Sequence, residues 1–210
     1  MRRRVLVWLL VLSFPAAGMA HRLDEYLQAA RISIELGYID VEIDLTPGAA
    51  VANDVFAGID RNHSGDISPA EGEAYAATVL RSLSLTVDGE MRPLSLESHT
   101  IPSLADMRRG EGVIRLSVRT VMPVSNGLHH LKFANGNRPD IGVYLVNVLI
   151  PENERIRIAG QSRDLLQREF DLHYTITDRA STLEAANQFW PPCLGLVLAG
   201  ICLSALFRPR

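Results

Sequence analysis

The chain has 210 residues, with 24 acidic side chains against 21 basic ones and a formal net charge of −3. Its length and 47% hydrophobic content leave room for one domain with its own core. They exclude a disordered chain, a multidomain enzyme and a polytopic membrane protein. The mean hydropathy of +0.09 is high for a chain with 21% charged residues, because residues 5–14 and 193–207 carry no charge at all.

The first element in chain order is an export signal. Arg2, Arg3 and Arg4 precede an apolar run of about ten residues, too short to span a bilayer. Gly18-Met19-Ala20 places small residues at −3 and −1 of a cleavage site, so residues 1–20 are expected to be removed and the mature chain to begin at His21. An uncleaved signal anchor is the alternative.

Strand alternation follows. Ile32, Ile34 and Leu36 alternate with polar residues. After Gly37, Ile39, Val41, Ile43 and Leu45 do the same, which predicts a hairpin with one wet face. Asp40, Glu42 and Asp44 lie on that wet face and read as solubilising. Residues 49–82 change to a helical period: Ala52, Val55, Phe56 and Ile59 form one stripe, and Tyr75, Ala76 and Val79 another.

Between the stripes runs Asp60-Arg61-Asn62-His63-Ser64-Gly65-Asp66-Ile67-Ser68-Pro69-Ala70-Glu71. Asp60, Asn62 and Ser64 offer side-chain oxygens at the first, third and fifth places. Gly65 stands sixth, where the turn needs positive φ. Ser68 is ninth and Glu71 twelfth. The segment resembles an EF-hand. That resemblance implies Ca²⁺ held by Asp60, Asn62, Ser64, the Asp66 carbonyl and both oxygens of Glu71, with Ser68 acting through water. A helix capping box alone would explain Ser68, Pro69 and Glu71, but not the spaced oxygens before them. The loop departs from the pattern in Ser64, in Gly72 (a poor helix former) and in having no second loop to pair with. With only two ligating charges, the expected affinity is weak, on the order of 10⁻⁴ to 10⁻³ M.

Beyond the helices, Leu83, Leu85 and Val87 lead into an Asp88-Gly89 tight turn, and Leu94 and Leu96 continue the pattern after it. Further strands are expected at 112–121, 128–134, 141–150, 154–159 and 169–177. The nearly all-apolar run 141–150 predicts a central strand. The expected fold is mainly β, an antiparallel sandwich-like domain over 21–48 and 83–180 with the EF-hand insertion at 49–82. Ser181-Thr182-Leu183-Glu184 predicts a juxtamembrane helix over 181–190. Residues 191–207 are expected to form a transmembrane helix, with Phe189 and Trp190 at one interface and a cytoplasmic 208–210 at the other. A buried core helix is the alternative for this short span. The predicted location is the cell membrane, single-pass, with the large domain outside the cytoplasm.

Setting aside the five arginines of signal and tail leaves 16 basic residues against 24 acidic ones, about −8 for the domain. That argues against nucleic acid. Cys193 and Cys202 both lie in the tail, about 13 Å apart along a helix and unable to pair within one chain. The domain therefore has no cysteine nucleophile or thiolate metal site. His129 and His130 are adjacent in a strand and point to opposite faces. His99 and His173 are isolated, and His63 holds a non-ligand place in the loop. The mature N-terminal His21 could chelate a transition metal through amine and imidazole. No phosphate loop, nucleophile elbow or HExxH pattern is present, so an enzyme is not expected.

The segments HRLDEYLQAARISI (21–34), VEIDLTPGAAVA (41–52) and GVYLVNVLIP (142–151) resemble the exported N-terminal region of some bacterial nickel/cobalt-transporter-like proteins. The resemblance implies an accessory outer domain with a membrane-protein partner, since one spanning helix makes no pore. The leading expectation is a membrane-anchored extracytoplasmic calcium-binding module with a structural or accessory role. The alternatives are a metal-dependent hydrolase or transition-metal delivery protein using His21, or a truncated transporter remnant.

Overall fold

The computed structural model describes residues 24–178. The signal and His21, the juxtamembrane helix and the apolar tail lie outside the described residues. No helix among those described is long and apolar enough to cross a membrane.

The domain is mainly β. Strands β1 (Tyr26–Glu35) and β2 (Tyr38–Pro47) form the expected hairpin around Gly37, with Ile32 opposite Val41 and Ile34 opposite Ile39. Helices α1 (Ala52–Ile59) and α2 (Pro69–Arg81) follow. Then come β3 (Leu83–Val87), β4 (Glu90–Met91), β5 (Ser95–Thr100), α3 (Leu104–Arg108), β6 (Ile114–Val121), β7 (Gly127–Asn135), β8 (Gly142–Val148), β9 (Ile156–Arg163) and β10 (Glu169–Ile176). One five-stranded sheet has the order β5-β6-β2-β1-β8, the other β4-β3-β7-β10-β9. Period-two patterning gives the long strands β1, β2, β6, β7 and β10 an inward apolar row. The rows of both sheets meet in one core, with Ile32, Val41 and Val118 from the first sheet and Leu131, Phe133 and Leu172 from the second.

Three expectations are corrected. The run 141–150 is not central: β8 is the edge strand of its sheet and pairs with β1 in parallel. Tyr144 and Val146 are buried and Val148 packs partly against the core, while Val143 and Leu145 face out and Ile150 is 91% exposed. The unpaired edge is blunted from the other sheet, where Arg163 donates to the Val146 carbonyl at 2.7 Å and to the Asn147 side chain at 3.1 Å. Second, the strand after the Asp88-Gly89 turn stops at Met91. Pro93 lacks the N–H a ladder needs, and the chain crosses to pair β5 with β6 in the other sheet. Third, α3 arises where no helix was expected, capped by Ser103 accepting from the Asp106 N–H.

The helix–loop–helix unit shares the core of the sheets. Val55, Phe56, Ile59, Ala76 and Val79 are all buried in it. The Tyr26 and Tyr75 hydroxyls meet at 2.7 Å, and Arg138 reaches Asp54 of α1 at 2.8 Å. Gly72 has a packing reason: a Cβ there would stand 2.6 Å from His99 Nε2 of β5. Its weak helix propensity is offset by this close approach of α2 to the sheet.

At the other end of the sheets, the Asp88-Gly89 turn (φ +54° and +82°) is tied down by His129. Nδ1 of this 8%-exposed histidine lies 2.7 Å from Asp88 Oδ2, and Nε2 lies 2.9 Å from the Ser125 carbonyl. Both partners are pure acceptors, so the geometry calls for the doubly protonated ring. Burial pushes the His129 pKa down, but the Asp88 carboxylate and Ser125 carbonyl outweigh it, and the net shift is upward. Burial likewise pushes Asp88 up, but its bonds from His129 and the His130 N–H hold it below the usual range. A raised histidine pKa stabilises the fold fully below the ordinary 6.5 and loses that contribution as pH rises through the folded value. A depressed aspartate does the opposite, losing its contribution as pH falls below its ordinary 3.8. Stability is therefore expected to decline by roughly 1 kcal/mol on the alkaline side, about the net worth of one hydrogen bond. Urea midpoints from pH 5 to pH 9 measure this, and His129→Phe should flatten the alkaline limb.

Candidate functional site: the Asp60–Glu71 loop

The loop between α1 and α2 is shaped by its own polar side chains. Asp60 closes α1, its N–H reaching the Phe56 carbonyl. Its carboxylate then turns into the loop, where Oδ1 accepts from the Ser64 N–H at 3.0 Å and Oδ2 from the Gly65 N–H at 2.9 Å. Asn62 Oδ1 accepts from the same Ser64 N–H at 2.8 Å. Curling the backbone this tightly places His63 and Gly65 at positive φ, +57° and +87°. The glycine adopts it without a Cβ penalty. Ser64 Oγ donates to the Asp66 carbonyl at 2.9 Å, and the Asp66 side chain stays in solvent.

Glu71 closes the other end. The predicted capping box is present: Ser68 Oγ accepts from the Glu71 N–H, while Glu71 Oε2 accepts from the Ser68 N–H at 3.0 Å and hydroxyl at 2.7 Å. Oε1 crosses to the Asn62 N–H at 3.2 Å, joining the start of the loop to the start of α2. The hydrogen bond from the Ser68 hydroxyl, with those from backbone N–H groups, holds the Glu71 pKa down at about 2. The carboxylate is thus ionised at all physiological pH, and its contribution to stability is lost only as pH falls from the ordinary 4.5 toward 2. Ser68→Ala is expected to cost about 1 kcal/mol of stability through the lost cap, read by chemical denaturation, while leaving Glu71 in place.

Asp60 is 5% exposed and Glu71 9%. Among the described residues neither carboxylate has an ion-pair partner, unlike Asp40, Glu42 and Asp44. The latter lie in salt bridges to Arg119 at 2.6 Å and to Arg31 at 2.9 and 3.0 Å, so they are paired rather than merely solubilising. The donor set of the loop is all oxygen, which fits a hard cation and excludes a soft one. Among the described residues no three His, Cys, Asp or Glu side chains form a metal-binding group. The loop brings only two acidic side chains together; Asn62, Ser64 and the Asp66 backbone would have to complete the shell.

Of the histidines, His129 and His130 do face opposite ways, one to Asp88 and one to Asp171. His173 is not isolated: its ring stacks on that of His130. The pair leaves no signal in the sequence, because its members belong to strands β7 and β10, more than forty residues apart. Compared with family models, curated proteins and solved structures, the chain matches none.

Proposed function

We propose that the protein is an extracytoplasmic calcium-binding module, with the ion held by Asp60, Asn62, Ser64, the Asp66 carbonyl and Glu71 and with a structural or accessory role. The observation that carries this reading is the pair of buried carboxylates, Asp60 and Glu71, which bound one loop and have no ion-pair partner among the described residues. Buried charge is costly unless paired, and a bound cation supplies the pairing. Calcium would add a positive charge that ties α1 to α2, using oxygens the loop already gathers. Glu71 would exchange its capping bonds for the ion, so the affinity is expected to be low.

Membrane attachment through 191–207 belongs to the same proposal. Asp178, where the described chain ends, is bonded to Asn126 at 2.7 Å, at the end of the sheets that carries Gly37. Exposed Val121, Val124, Leu128, Leu149 and Ile150 ring that end. The calcium loop follows β2 at the opposite end, which would hold it away from a bilayer and toward a partner.

Thermal unfolding of the full-length chain in detergent tests the calcium reading. The midpoint is expected to rise with millimolar Ca²⁺. No rise, or an equal rise with K⁺ at matched ionic strength, would overturn it.

A further inference from the structure

The outer face of the second sheet carries a group that the calcium reading does not use. On adjacent strands, His130 of β7 and His173 of β10 stand directly opposite each other in register. Their rings lie 4.4 Å apart, centroid to centroid, and within 14° of parallel. Two residues along the ladder, on the same face, Asp171 opposes Lys132. Asp171 Oδ1 lies 2.8 Å from His130 Nε2 and 3.4 Å from Lys132 Nζ.

A carboxylate only accepts, so Nε2 of His130 must be the protonated nitrogen. In the neutral imidazole that leaves the lone pair on Nδ1. A carboxylate that fixes the tautomer and orientation of a histidine is the usual partner of a metal-ligating imidazole. Neither His130 Nδ1 nor either nitrogen of His173 has a hydrogen-bond partner among the described residues. The flank beside His173 is open: Gly160 of β9 opposes it, a β-bulge follows between His173 and Tyr174, and a Cβ at Gly160 would meet nothing within 4 Å.

We infer that His130 and His173 form a two-histidine site for a divalent transition-metal ion, with Asp171 as the positioning residue for His130. Two imidazole nitrogens select Zn²⁺, Ni²⁺ or Cu²⁺ over Ca²⁺, and water completes the coordination. Both side chains reach the surface, so the rings have room to turn out of their stack and aim one nitrogen each at a shared ion. Lys132 opposes the site by its charge and by sharing Asp171. The site shares no residue with the Asp60–Glu71 loop and does not depend on calcium binding there.

The test is calorimetric titration of the full-length chain with Zn²⁺ in excess Ca²⁺, which keeps oxygen sites filled. One saturable equivalent is expected. His130→Ala and His173→Ala should each weaken it more than tenfold, Asp171→Asn about ten- to a hundredfold, and Lys132→Met should strengthen it. Unchanged Zn²⁺ binding in both histidine variants would overturn the site, as would loss of binding in His21→Ala alone. Modification of the wild-type chain by diethyl pyrocarbonate is the second measurement, independent of whether the variants fold. Zn²⁺ should protect His130 and His173 and leave His63 reactive. Equal modification of all three with and without Zn²⁺ would sink the inference.

Discussion

Gln28→Leu is expected to lower the unfolding free energy by about 2–6 kcal/mol. Gln28 is fully buried on the inner face of β1. Its Nε2 donates to the Asn137 carbonyl at 2.8 Å, and its Oε1 accepts from the side-chain amides of Asn135 and Asn137, both at 3.1 Å. Asn135 Oδ1 in turn accepts from the Asn137 N–H at 3.0 Å, and the Asn137 carbonyl also takes the Tyr144 hydroxyl at 2.8 Å. The network ties β1 of one sheet to the end of β7 in the other. Leucine matches the volume of glutamine but leaves two buried amide donors without acceptors, at about 1–3 kcal/mol each. Urea denaturation with an unchanged m-value checks the magnitude. A loss below about 1 kcal/mol would mean that water enters and satisfies the stranded amides.

Glu71→Gln is expected to abolish the calcium response. With a dissociation constant of about 10⁻⁴ to 10⁻³ M, 10 mM Ca²⁺ should stabilise the wild-type chain by about 1.4–2.7 kcal/mol. For a domain of this size that raises the unfolding midpoint by roughly 3–10 °C. Glutamine keeps one carbonyl oxygen and most of the shape but removes the charge and the bidentate grip. Its amide can still accept from the Ser68 N–H, so the variant should fold and simply lack the calcium-dependent rise. Ser68→Ala provides the contrast: a less stable apo protein that still responds to calcium. If Glu71→Gln and wild type gained equally, the ion would be binding elsewhere.

What could be read before folding was whatever lies within one strand or one turn. The β1–β2 hairpin was legible because Ile32 to Leu45 alternate on a period set by the pleat. The loop was legible because Asp60, Asn62, Ser64, Gly65 and Glu71 are spaced along twelve consecutive residues. Other features were hidden. Tyr26 and Gln28 extend β1 beyond the visible pattern, and a glutamine on an inner face breaks the apolar row. The run 141–150 reads as central from its composition, but its place at the edge follows from which strands remain for it to pair with. Gly72 is a poor helix former by propensity, and its reason, the close approach of His99, comes from a distant strand.

The sequence by itself determined the local periods, the turn at Asp88-Gly89, the oxygen spacing of the Asp60–Glu71 loop and the capping box that ends it. These rest on backbone geometry within a few residues, where spacing alone decides direction. Only the tertiary structure decided the sheet orders, the burial of Gln28 with partners 107 and 109 residues away, and the meeting of His130 with His173. Each of these depends on register between strands distant in the chain, and that register is set by the competition of all apolar rows for one core.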